Sequence, residues 1–134
     1  MKNKNRDLKK EYKQKQNQMG VYQIRNMVNE KIFIGSSLNI PGIFNRQKFQ
    51  LKMGNHRNKA LQAEWNEFGS ESFAFEVLDE LTPKEDPAYN YREDLATLEN
   101  LWLENLQPYG DRGYNERKKS REELLKFIAQ NRTD

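Results

Sequence analysis

Glu99 is the residue whose type and position most need a chemical explanation. Tyr91, Leu95, Leu98, Trp102 and Leu106 recur at helical spacing, and at about 100° per residue they form one stripe that includes Glu99, while Glu93 and Glu104 fall on the charged back. A carboxylate on an apolar stripe is desolvated. It therefore needs a cation, a metal ion or several hydrogen-bond donors, or else it takes up a proton. The plainer alternative is an ion pair with a Lys or Arg at the edge of the stripe. Tyr22 is a second candidate, because it sits beside Gly20 in a stretch that ends at Gly35, and glycines leave room for a turn or for a ligand close to the backbone. A third feature is the segment from Gly42 to Ala60, which carries Arg46, Lys48, Lys52, Arg57 and Lys59 and no acid, whereas Asp79 to Glu99 holds seven acids against two bases. Such basicity suits a polyanion, and it equally describes a solvated helix face.

The elements that must position these residues can be read from periodicity. Gly20 to Ser37 reads as a two-strand hairpin: Val21, Ile24, Met27 and Val28 on one arm and Ile32, Phe33 and Ile34 on the other flank the polar pair Asn29-Glu30. A turn with Asn39, Pro41 and Gly42 leads to a helix from about Ile43 that stops at Gly54. Asn55 and His56 precede a second helix, with Ala60, Leu61, Trp65 and Phe68 at helical spacing and Gly69 as its stop. Residues 72–81 alternate with little polarity on either face and are expected to form a central strand. A polar loop then precedes the long helix of about Tyr91 to Leu106, which Pro108 and Gly110 end, and Gly113 to Asn115 is expected to be a short extended piece. Residues 120–132 open with a Ser and a Glu in capping-box spacing and predict a terminal helix whose Leu124, Leu125 and Ile128 could dock on the body. The order predicts a small α/β (α+β) domain with a three-stranded sheet.

Composition sets the limits. The chain has 134 residues, enough for one domain and a tail, with 35% hydrophobic and 32% charged residues and hence a modest core. Residues 1–18 carry seven Lys or Arg against two acids and almost no apolar side chains, and are expected to be a disordered or frayed-helical basic tail. Cysteine is absent, which excludes disulfides and thiolate metal sites. No apolar run approaches the roughly 18 residues of a membrane span, and the N-terminus lacks a signal-peptide core. A soluble, cytoplasmic protein is the expectation, with no membrane partner.

In combination, these residues resemble the GIY-YIG endonuclease family. Gly20-Val21-Tyr22 and Phe33-Ile34-Gly35, ten residues apart, look like its paired signature. Asn55-His56, Leu61-Gln62, Phe68-Gly69, Phe73, Glu99-Asn100-Leu101-Trp102 and Gly113-Tyr114-Asn115 follow in the order of its homing-enzyme branch. The resemblance implies a three-stranded antiparallel sheet flanked by helices, with a nuclease domain over residues 19–116 and a C-terminal helix in 117–134. It implies that Tyr22 lies near the water that attacks phosphorus, as a general base, that Glu99 holds one Mg²⁺ or Mn²⁺, and that Asn115, Gly20, Gly35 and Phe33 support the site. His56 matches a histidine of the homing branch, the alternative being an ordinary surface histidine. DNA is the implied partner, and metal-dependent hydrolysis of its phosphodiester the implied reaction.

Two positions depart from the pattern. The second motif tyrosine is Phe33, which lacks the hydroxyl, and the arginine expected eight residues past Gly35 is Ile43. Losing a donor aimed at developing charge costs about 10²- to 10³-fold in rate. Arg46, about one helical turn further on, could supply the missing charge as a catalytic residue, or could simply contact backbone phosphate with Lys48, Lys52, His56, Arg57 and Lys59. Two functions are consistent with this pattern: a metal-dependent DNA endonuclease, and a catalytically impaired domain that binds nucleic acid or a protein on the same surface. Homing enzymes carry a separate recognition domain, so weak intrinsic sequence specificity is expected.

Overall fold

The β-branched and aromatic arms of the glycine-flanked segment pair as expected, β1 (Gly20–Asn26) lying antiparallel to β2 (Ile32–Ser37). This computed structural model describes residues 18–117 and 121–131, so the expectation for the basic tail lies outside the described residues except at Gln18. The strands are shorter than the sequence suggests. Met27 and Val28 fall in the turn and are exposed, because Asn26 at the end of β1 closes the chain on itself: its N–H donates to the Lys31 carbonyl at 2.8 Å and its side chain accepts from the Val28 N–H at 2.9 Å.

β3 (Phe73–Glu80) also pairs antiparallel with β1, giving the sheet order β2-β1-β3. The segment expected to be central is therefore an edge strand, and β1 is the central one. Little polarity on both faces of 72–81 suggested double burial, yet Val77 remains exposed. Phe73 and Phe75 supply the buried face, and Glu76 on the other face is held by Arg25 Nε at 2.8 Å.

α1 (Ile40–Met53) starts three residues earlier than expected. Asn39 caps it, accepting from the Gly42 N–H at 3.1 Å, and Pro41 falls in the first turn, where a missing N–H costs no hydrogen bond. α2 (Lys59–Phe68) is capped by Asn58, whose Oδ1 accepts from the Leu61 N–H at 3.0 Å. Both helices cover one face of the sheet, where Ile40, Leu51, Leu61 and Trp65 pack on Tyr22, Ile24 and Phe73. α3 (Arg92–Leu106) packs across β1 and β2 from the side on which Val21 and Ile34 are buried, and Trp102 Nε1 donates to Asp79 at 3.1 Å.

The piece at Gly113 makes an isolated parallel bridge to Ile32, and Tyr114 N–H donates to the Ile32 carbonyl at 2.9 Å, so the chain after α3 returns along the free edge of β2. α4 (Arg121–Asn131) forms within the expected span, while the Ser120 cap expected of it lies outside the described residues. The stripe expected to dock is not buried by the described residues: Leu124, Leu125 and Ile128 are each about half exposed, at 47%, 57% and 46%. Among the described residues no helix is long and apolar enough to cross a membrane.

Candidate active site

Alternation along β1 turns Tyr22 toward α1, directly opposite Gly35 in the ladder. The ring crosses the Gly35 backbone so closely that a Cβ there would stand 2.5 Å from the hydroxyl oxygen and 2.6 Å from Cζ. Phe44 of α1 meets the ring edge-on at 5.5 Å. These contacts leave Tyr22 only 3% exposed. Its hydroxyl accepts a hydrogen bond from Gln47 Nε2 of α1 at 3.2 Å. Burial pushes the phenol pKa up, the bond donated by Gln47 works in the opposite direction, and the negative charge of Glu99 pushes it up further. The carboxylate on α3 is thus close enough to Tyr22 to oppose its ionisation.

Behind Gln47 stands His56. It is buried, at 3% exposure, so the surface alternative for this histidine does not hold. Its ring is fixed on every side. Nδ1 accepts from the Asn58 N–H at 3.0 Å, Nε2 meets Gln47 Oε1, and Phe33 packs against the ring in a T-shaped pair at 6.1 Å. The His56 backbone N–H donates to the side chain of Gln62 at 3.0 Å. Burial lowers the imidazole pKa. Phe33, Gln47, His56 and Arg57 line a cleft of about 400 Å³ whose further wall includes Asn115 and Glu116.

Glu99 lines an adjoining depression of about 340 Å³ that shares Asn115 and Glu116 as walls. It is half-buried, and among the described residues no hydrogen bond or ion pair engages it. The ion-pair alternative is therefore not realised. Asn115 separates the two depressions. Its carboxamide accepts from the Ile34 N–H and donates to the Ile34 carbonyl, both at 2.8 Å, so the side chain pairs with β2 as a neighbouring strand residue would. Gly20 also works at close range, since a Cβ there would stand 2.0 Å from the Asp79 carbonyl oxygen.

The cationic candidates spread over α1 and α2. Arg46 is exposed and does not line the cleft, although it stands one turn before Gln50, which does. Ile43, where the resemblance leads one to expect arginine, packs against the core. Arg57 is the cation at the cleft. Lys48 lies over the Phe75 ring at 4.9 Å, and Lys52 and Lys59 are exposed. Among the described residues the ion pairs use Arg25 and Lys31, and none uses a cation of α1 or α2.

Sequence reasoning did not single out Gln47, and it named Gln62 only within the Leu61-Gln62 pair of the resemblance, without a role. Each is a polar residue on an inward helical stripe, Gln47 between Phe44 and Leu51 and Gln62 beside Leu61. That is the same signal that singled out Glu99. A neutral amide has no charge to account for, so periodicity alone gave neither residue a role.

A family model described as the GIY-YIG catalytic domain matches residues 18–115. Intron-associated endonuclease 1 of Enterobacteria phage T4 is 31% identical over 97 residues, which is 72% of this chain and 36% of that protein. The chain thus corresponds to little more than a third of that relative. The solved catalytic domain of the homing endonuclease I-TevI aligns with a TM-score of 0.62 at 27% identity over 75% of this chain and 99% of that one. A mutant form of that catalytic domain aligns at 0.63 and 25% identity over 77% and 97%.

Proposed function

Because the chain belongs to the GIY-YIG catalytic-domain family, we propose that it is a metal-dependent DNA endonuclease, with Tyr22 beside the attacking water and Glu99 holding the divalent ion. The observation that carries this reading is Glu99, a half-buried carboxylate with no protein partner among the described residues, close enough to Tyr22 to shift its ionisation. A carboxylate that lines an open depression without a protein partner is available to a cation from solution. The donor set also fits the ion. No group of three or more His, Cys, Asp or Glu side chains able to hold a metal occurs among the described residues, which disfavours zinc. A single carboxylate suits Mg²⁺ or Mn²⁺, which keep several waters and take the remaining oxygens from substrate phosphate.

The residues of the chain have distinct tasks. The ion, when bound, supplies Lewis-acid stabilisation of the scissile phosphate and the leaving oxygen. Tyr22, having released its own proton to solvent water, orients the attacking water as phenolate and accepts that water's proton as the oxygen attacks phosphorus. Positive charge on Glu99's side of the phenol offsets the field that keeps Tyr22 protonated. Arg57 holds phosphate at the cleft wall, and Arg46, Lys48, Lys52 and Lys59 contact the backbone further along. His56 acts from behind Gln47. Asn115 fixes the edge of β2 between the two depressions.

A second reading has its own support. Phe33 and Ile43 both lack polar groups where the family signature has donors, so a domain that binds DNA and cleaves it slowly or not at all is the alternative. Nicking of supercoiled plasmid with Mg²⁺ or Mn²⁺, against the same reaction with chelator, separates the two. Ion-dependent nicking supports the endonuclease, whereas salt-sensitive binding without nicking supports the binding domain.

A further inference from the structure

We infer that Gln47 is a positioning residue for Tyr22, its carboxamide locked by His56 so that the phenol oxygen is made an acceptor and the phenol's own proton is turned away from α1. The catalytic consequence rests on the endonuclease reading, but the geometry does not.

The polarity of the chain follows from its far end. The Asn58 N–H donates to His56 Nδ1 at 3.0 Å, so Nδ1 is a bare acceptor and the neutral ring carries its proton on Nε2. Nε2 meets Gln47 Oε1. The opposite setting of the carboxamide would place an NH₂ against that N–H, so the amide has one allowed orientation. Its NH₂ then faces Tyr22 and donates to the hydroxyl oxygen at 3.2 Å. The ring at the start of the chain is held in this setting by the Asn58 N–H on Nδ1 and by Phe33 packed against it.

A phenol that accepts a hydrogen bond loses its proton more readily, because the bond strengthens as the oxygen becomes anionic. Gln47 therefore opposes burial and the Glu99 field, the two influences that keep Tyr22 protonated. The charge of Glu99 acts on the phenol from α3, and His56 acts on it only through Gln47. An amide neither gains nor loses a proton in the working range, so His56 does not exchange protons with Tyr22. It fixes a direction.

The test uses the full chain with ¹³C at tyrosine Cζ, the Tyr22 signal being assigned by Tyr22→Phe. Wild type, Gln47→Leu and Gln47→Glu are titrated without metal or DNA, each over the range in which thermal melting shows it folded. Leu removes the donor, and Glu replaces it with an anion that accepts. The Tyr22 signal is expected to begin moving at higher pH in Gln47→Leu than in wild type and at higher pH again in Gln47→Glu, with an ionised fraction at a given pH about tenfold lower or more for Leu. Plasmid nicking should decline in the same order and recover as pH is raised. If the Tyr22 signal titrates alike in wild type and in whichever variants fold, the inference is overturned. If the titration order holds while even the wild type fails to nick, the positioning role stands and the endonuclease reading falls.

Discussion

Gly35 lies opposite Tyr22 across the β1–β2 ladder, and the phenol occupies the space where a side chain at Gly35 would be. The glycine of the second motif is therefore there for the tyrosine of the first. Gly35→Ala places a Cβ 2.5 Å from the hydroxyl oxygen, and the ring, held by Phe44 and Gln47, must move. Overpacking of this kind costs about 1–3 kcal/mol. Thermal unfolding should shift down and nicking should fall by roughly tenfold or more, since the phenol leaves its position. An Ala variant with wild-type melting and wild-type nicking would show that Tyr22 has room to spare.

The two missing donors can be put back. Phe33 lines the cleft, so Phe33→Tyr adds a hydroxyl where the family signature has one. Ile43→Arg returns the guanidinium at the cost of apolar packing against the core. Either change should raise nicking, by up to about 10²-fold for the arginine, with Ile43→Arg also lowering stability by roughly 1–3 kcal/mol. Plasmid nicking rates at saturating protein decide it. Unchanged rates in both variants would mean that absent donors do not limit the reaction.

DNA binding should weaken as salt rises, because each phosphate contact releases counterions. Arg57, at the cleft and without an ion pair among the described residues, should carry one such contact. Arg57→Ala should lower affinity across unrelated sequences alike and reduce the slope of log affinity against log salt by about 0.9. Fluorescence anisotropy over a salt series measures this, and an unaltered slope would remove Arg57 from the interface.

His56 makes stability depend on pH. Burial holds its pKa in the folded chain below the ordinary 6.5, so the unfolded chain binds that proton more readily. The stabilisation is complete above the unfolded value and is lost as pH falls from there through the depressed folded value. Melting temperature should drop between about pH 7 and about pH 5, and His56→Asn should flatten that part of the curve. Parallel curves for the two proteins would mean that His56 ionises in the folded chain as easily as in the unfolded one.

The fold was legible wherever a local pattern decided it. β-branched arms around a polar pair give a hairpin, and the stripe from Leu95 to Leu106 gives a helix. Strand order is not a local property. Residues 72–81 read as central because neither face is very polar, yet pairing placed β1 between its neighbours and left β3 at the edge. Helical periodicity likewise found the apolar stripe of α4 and could not say whether anything would cover it. In the site, Glu99 was legible because a charge among apolar residues is anomalous. Gln47 and Gln62 were not, although they occupy the same kind of position, since an amide contradicts an apolar stripe less sharply. Burial of His56 could not be foreseen, because the side chains that enclose it come from β2, α1 and α2.

The deciding experiment is nicking of supercoiled plasmid with Mg²⁺ or Mn²⁺ by wild type, Tyr22→Phe and Glu99→Ala at protein concentrations matched for DNA bound. Wild type should nick in the presence of the ion, and each variant should lose about 10²-fold or more while still binding DNA. Equal nicking by all three proteins, or none by the wild type at full occupancy, would contradict catalysis by the phenol and carboxylate at this site.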